Sequence, residues 1–147
     1  MKVELRRLNS KEEMLACHHL ILEMYPSLDI MDYRRQLEEM LPHNYFQIGA
    51  FDGDECVGMS GAWIGNKLWC GKYLEVDHII VSSECRSKGV GELLLKFLKA
   101  IAQEENCASL GLDSFTHNHQ SHKFFFKNGF EIKGYHFVQV LEPSKFK

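Results

Sequence analysis

Apolar positions along the chain fall into blocks of two different periods. Met14, Leu15, His18, Ile21, Leu22 and Tyr25 recur at helical spacing. Ahead of them, Ser10-Lys11-Glu12-Glu13 reads as a capping box, in which a hydroxyl and a carboxylate close the first free N–H groups of a helix. Pro26 ends that segment. Ile30, Tyr33, Leu37, Met40 and Leu41 predict a second helix, capped by Asp29 and stopped by Pro42. The connection from Tyr25 to Met31 could line a cleft. A short strand at Val3, Leu5 and Leu8 precedes both helices.

The period then shortens. Tyr45 to Phe51 reads as a strand, Asp52-Gly53-Asp54 as a hairpin turn, and Cys56 to Ile64 as the returning strand. Gly65-Asn66-Lys67 predicts another turn, into a third antiparallel strand that ends at Val81. Val90, Leu93, Leu94, Phe97, Leu98 and Ile101 form a helical stripe that stops at Asn106. Cys107 to Asp113 predicts a short strand. With a helix between, it should run parallel to the strand ending at Val81. One more helix spans about 118–128. Gly129-Phe130-Glu131 leads into a closing hairpin, with Tyr135 to Leu141 as its second strand. The predicted order is β-α-α-β-β-β-α-β-α-β-β: an α+β class, a mixed central sheet flanked by helices, in one domain over 1–147.

Composition narrows the function classes. A chain of 147 residues can bury a sizeable core, and 45% hydrophobic with 25% charged residues is ordinary for a globular protein. A formal net charge of −3 argues against nucleic-acid binding by bulk electrostatics. No apolar run approaches a membrane span, and Met1 to Arg7 holds no signal-peptide core. The five cysteines are odd in number, scattered, and form no C-x-x-C pair. The expectation is a cytoplasmic protein with reduced thiols, engaging neither nucleic acid nor membrane.

The most informative stretch runs from Tyr73 to Leu95. An apolar strand ends at Val81, a loop carries Arg86-Ser87-Lys88-Gly89-Val90-Gly91, and a helix starts directly after. A helix N-terminus presents unpaired N–H groups and a partial positive charge. Glycines let a diphosphate approach the backbone, and Arg86 and Lys88 add charge. The dinucleotide fingerprint G-x-G-x-x-G fails because Leu94 stands at its third glycine. The triphosphate loop G-x-x-x-x-G-K-S/T is absent. What remains is R-x-x-G-x-G between strand and helix.

That pattern resembles the acyl-coenzyme-A loop of the GNAT superfamily of N-acetyltransferases, Q/R-x-x-G-x-G/A. A second stretch, Asn118-x-x-Ser121-x-x-Phe124-Phe125-x-x-x-Gly129-Phe130, resembles the family's N-x-x-A-x-x-F-Y-x-x-x-G-F. Ser121 replaces the usual alanine and Phe125 the usual tyrosine. The order of elements is also that of the GNAT fold. The resemblance covers essentially the whole chain and is specific from about residue 72 to 130.

The resemblance implies acetyl transfer from acetyl-CoA to a primary amine, by direct attack in a ternary complex and without a metal. It implies that Arg86, Ser87, Lys88, Gly89, Val90 and Gly91 hold the diphosphate, and that the backbone of Ile79, Ile80 and Val81 pairs with the pantetheine arm. A backbone N–H near Ile79 or Ile80 would polarise the thioester carbonyl. Asn118, Ser121 and Phe125 would meet the coenzyme from the following helix. Glu75, eleven residues before Arg86, stands where several members place the base. Strand alternation puts Asp77 on the same face, and paired carboxylates attract a cationic amine. His78 should then point to the other face, into packing, unless a bulge intervenes.

Other groups invite blander readings. His117, His119 and His122 are close in sequence, yet their spacing matches no recognised metal set. His122 fits better as a shaper of the coenzyme or acceptor pocket. Cys85, near the start of a helix, reads as an inert thiol before a regulatory one. The acceptor is expected to be a small cationic amine, bound by residues 25–32, the hairpins and 113–119. A protein N-terminus or lysine, and a coenzyme-A-binding module without catalysis, are the other two readings. The closing hairpin could pair across a homodimer.

Overall fold

The computed structural model describes residues 1–146. It divides into two compact units, Met1–Leu112 and the residues from Asp113 onward. The first holds one five-stranded sheet in the order β1-β2-β3-β4-β5: β1 Val3–Leu8, β2 Tyr45–Asp52, β3 Glu55–Lys67, β4 Gly71–Val81 and β5 Ser109–Leu112. The first four strands are antiparallel neighbours, and β5 runs parallel to β4. The parallel pair is joined through α4 (Val90–Glu104), the crossover that parallel strands require.

The sheet is buried on both sides, which explains the unbroken burial of Tyr45 through Phe51 in β2. One face packs on α1 (Lys11–Leu15), α2 (His18–Met24) and α3 (Ile30–Met40), through Leu15, Leu20, Ile21, Tyr33 and Leu37. The other packs on α4 through Val90, Leu94, Leu98 and Ile101. Each fully buried aliphatic side chain of α4 contributes about 1.5–3 kcal/mol. Gly58 of β3 lets α4 come close, since a Cβ there would sit 2.8 Å from a methyl of Val90.

The helix signals resolve into real caps. Ser10 Oγ accepts from the N–H of Glu13, and Glu13 Oε2 reaches back to the N–H of Asn9. Asp29 Oδ1 accepts from the N–H of Asp32. The single helix expected after Ser10 is two, because the N–H of Cys17 bonds the carbonyl of Met14, three residues back, and tightens the chain out of the α pattern. The turn expected at Gly65-Asn66-Lys67 lies instead at 68–70, since β3 and β4 stay paired as far as Lys67 and Gly71.

In the second unit, α5 (His119–Lys127) is the predicted last helix. The closing hairpin is not formed, because residues 130–141 carry no strand. Ile132, Tyr135, Phe137 and Leu141 are each more than 70% exposed. Aromatic and β-branched residues suit a strand only where an edge accepts them. Among the described residues no ladder does.

Candidate active site

The site grows from β4. Its parallel pairing with β5 covers Tyr73–Val76 against Ser109–Leu112 and ends there. Among the described residues, His78 to Val81 are therefore paired on the β3 side alone. The bulge lies at the same point. Ala62 of β3 opposes Val76 and Gly61 opposes His78, so Asp77 is an extra residue.

The bulge changes which residues share a face. Leu74 and Val76 belong to the α4 core, while Ile80 belongs to the α1–α3 core. Glu75 opposes Trp63, which packs on the α1–α3 side. It also lies in register with Gly111, whose lack of a side chain leaves room: a Cβ there would sit 3.1 Å from Glu75 Oε2. His78 comes to the Glu75 face as well, contrary to the simple alternation that sent it to the other one. Asp77 is exposed, and its carboxylate raises the pKa of Tyr25, after burial, and opposes the lowering of that of His78.

Behind these residues lies a buried polar chain. Tyr45 Oη is 2.8 Å from Nε2 of His78. Gln47 Nε2 donates to Tyr45 Oη at 2.9 Å and to Tyr33 Oη at 2.8 Å. Tyr45 thus accepts from Gln47 and can give its own proton to His78. Burial pushes the Tyr33 phenol up to about 12 and that of Tyr45 well above its ordinary value. Burial pushes His78 down, which keeps its ring neutral. Gln47 Oε1 and His78 Nδ1 have no partner among the described residues. Neither Tyr45 nor Gln47 was singled out by pattern, although a glutamine inside Tyr-Phe-Gln-Ile-Gly-Ala-Phe is a signal of a polar group in a central strand.

A groove of about 290 Å³ lies where β4 leaves its parallel partner, lined by Glu23, Met24, Ile79, Ile80, Val81 and Arg86. Four of these were expected at the coenzyme. Glu23 and Met24, at the end of α2, were not; they directly precede the Tyr25–Met31 connection expected to line a cleft. Glu23 accepts from the N–H of Ser83 at 3.1 Å and lies 4.0 Å from Arg86. Glu75 and Asp77 do not line this groove. They lie four and two residues earlier than Ile79, with the bulge at Asp77 shortening the path along β4.

Past Arg86 the chain turns through Ser87 and Gly89, with φ of 64° and 82°. Lys88 lies between them and is exposed. Gly89 is the N-cap of α4 and brings no side-chain acceptor, so the first N–H groups of Val90 and Gly91 are not closed by a cap. A Cβ at Gly89 would meet nothing within 4 Å; what this position needs glycine for is its left-handed backbone. An unpaired strand edge, an arginine and an uncapped helix start in sequence suit an extended amide chain that ends in a diphosphate.

The second unit places the remaining residues. Asn118 caps α5, its Oδ1 accepting from the N–H of Ser121 at 3.3 Å. Phe125 meets the edges of Phe124 and Phe130 at 5.5 and 5.7 Å. His122 Nε2 bonds the carbonyl of Phe115 at 2.8 Å. No group of three or more His, Cys, Asp or Glu among the described residues is arranged to hold a metal ion. No helix among them is long and apolar enough to cross a membrane.

Residues 14–130 match the acetyltransferase (GNAT) family. An uncharacterized N-acetyltransferase of Bacillus subtilis (strain 168), YhdJ, is 26% identical over 137 residues, covering 92% of this chain and 96% of that protein. Among solved structures, AAC(6')-Iy in complex with a bisubstrate analog, CoA-S-monomethyl-acetylneamine, superposes with a TM-score of 0.83 at 18% identity, covering 97% of this chain and 99% of the other. A glucosamine-6-phosphate N-acetyltransferase from Arabidopsis thaliana superposes with a TM-score of 0.76 at 18% identity, covering 97% and 100%.

Proposed function

The chain belongs to the GNAT acetyltransferase family, and we propose that it moves an acetyl group from acetyl-CoA to the primary amine of a small cationic molecule in a ternary complex. The groove along Ile79–Val81 and Arg86, opening where β4 loses its partner strand, carries this reading. Its free backbone edge suits the amides of the pantetheine arm. Arg86, Lys88 and the N–H groups from Ser87 to Gly91 suit the diphosphate. The support for Asn118, Ser121 and Phe125 as coenzyme residues is the resemblance of their stretch to the family's second motif.

The amine must lose a proton to attack, since an alkylammonium with a pKa of about 10 is mostly charged at neutral pH. Glu75 takes that proton, directly or through one water, and Asp77 draws the cation toward the reacting carbon. A backbone N–H near Ile79 or Ile80 polarises the thioester carbonyl. The leaving thiolate, with a conjugate pKa of about 8.5, departs without a tyrosine beside it. The AAC(6')-Iy complex, with its bisubstrate analog CoA-S-monomethyl-acetylneamine, supports a small molecule over a protein acceptor.

The test is a panel of small amines, peptides and aminoglycosides with acetyl-CoA, read by release of free thiol. Steady turnover on small amines is expected. Turnover on peptides alone would move the acceptor to protein. Binding of acetyl-CoA without turnover on any amine would make the chain a coenzyme-A-binding module.

A further inference from the structure

A second groove, of about 250 Å³, opens on the α1–α3 side of the first unit, lined in part by Arg6, Glu13, Cys17, His19, Glu55 and Cys56. It shares no residue with the coenzyme groove. Two thiols lie at its base. Cys17, in the break between α1 and α2, is 2% exposed, and Cys56, at the start of β3, is 5% exposed. They come from segments about 40 residues apart in sequence and belong to one core cluster. Both thiols line this groove, and the Cys56 thiol donates to the carbonyl oxygen of Gly58 at 3.3 Å. The other three cysteines have no such thiol partner: Cys85 lies beside Met1 Sδ, and Cys70 near the carbonyl of Gly71.

We propose that Cys17 and Cys56 form a dithiol site that a small hydroperoxide oxidises reversibly to a disulfide. The Cys17 sulfur attacks the terminal peroxide oxygen. The O–O bond breaks, leaving a sulfenic acid on Cys17 and releasing water or an alcohol. The Cys56 sulfur then attacks the Cys17 sulfur and expels hydroxide, which leaves as water with the Cys56 proton. The net change is two thiols and one peroxide to one disulfide and two molecules of water, or one of water and one of alcohol.

The surroundings fit this division of labour. The Cys56 side chain holds the Cys17 pKa down, aided by the Arg6 guanidinium and opposed by burial and Glu13. Cys17 and burial hold the Cys56 pKa up, which suits it to the protonated, resolving role. A thiolate is the attacking form, and the neighbouring thiol is placed to resolve the sulfenic acid before further oxidation. His19 fixes the Cys56 backbone through its carbonyl, 3.0 Å from Nε2. The disulfide would tether the start of α2 to β3, and the far end of α2 carries Glu23 and Met24 into the coenzyme groove.

The experiment uses the full chain with Cys70, Cys85 and Cys107 replaced by serine, leaving this pair alone. After hydrogen peroxide, digestion without reductant should give a Cys17–Cys56 linked peptide, lighter by two hydrogens than the sum of its parts. Dithiothreitol should restore both thiols. In Cys56→Ser the same treatment should leave a sulfenic acid on Cys17 that dimedone captures. If both thiols remain alkylatable after denaturation, or if Cys17 passes to sulfinic acid while Cys56 stays free, the pair is packing and the proposal falls. The three-serine protein decides the matter even if Cys56→Ser does not fold.

Discussion

Tyr45 Oη and His78 Nε2 lie 2.8 Å apart, directly over Gly61 of the strand between them. The bulge at Asp77 turns His78 onto this face, and the missing side chain of Gly61 gives the two polar groups room to meet. A Cβ at Gly61 would overlap both atoms. Gly61→Ala should therefore cost about 1–3 kcal/mol through overpacking, with a further loss if the hydrogen bond breaks. A urea midpoint unchanged from wild type would show that the contact yields without cost.

The same pair sets a pH dependence. The folded state holds the His78 pKa below its ordinary 6.5, so below that pH the unfolded chain binds a proton that the folded chain refuses. Stability should fall as the pH drops through this window, by up to about 1.4 kcal/mol per unit. Tyr33 and Tyr45 act oppositely, because their folded pKa values lie above 10. Above about pH 10 the unfolded chain loses protons that the folded chain keeps, and stability should fall again. Denaturant titrations across pH check both limbs. In His78→Gln the histidine share of the acid limb should vanish; an identical acid limb in that variant would remove His78 as its source.

Glu75→Gln keeps the shape and removes the basicity. It should lower kcat by about 10²–10⁴ at pH 7, with a smaller loss at high pH where the amine is already neutral. Asp77→Asn should raise the amine KM more than it lowers kcat. The reverse pattern would make Asp77, the nearer carboxylate to Ile79, the base.

Gly91 occupies the first turn of α4. An aspartate there meets the positive end of the helix, worth about 0.3–1 kcal/mol to the fold. It also brings a negative charge to the proposed diphosphate site. Gly91→Asp should therefore melt no lower than wild type and yet lose most of its calorimetric affinity for acetyl-CoA. Unchanged affinity in the folded variant removes the loop from the coenzyme site.

Phe125 has no proton to give a leaving thiolate. Phe125→Tyr adds a hydroxyl to the same ring. It should raise kcat by about tenfold, within the range of acid catalysis, with little change in acetyl-CoA affinity. No gain in a variant that folds and binds coenzyme would show that thiolate departure does not limit turnover.

The sequence by itself determined the elements with strong local causes. Ser10 and Asp29 announced helix starts because a side-chain acceptor closes N–H groups within four residues. The stripe from Val90 to Ile101 announced α4, and Arg86, Gly89 and Gly91 announced the loop before it, because each depends on spacing along one stretch of chain. Tertiary structure decided the rest. The bulge that brings His78 to Glu75's face depends on the register of β4 against β3, a pairing between distant segments with no local signature. Gln47 found Tyr33, and Cys17 joined the core cluster of Cys56, only because the sheet carried α1–α3 across its face. Glu23 reached Ser83 across 60 residues for the same reason. Residues 130–141 are rich in the aromatic and β-branched types of strands and carry none, because a strand is completed by the edge it pairs with, and composition alone supplies no edge.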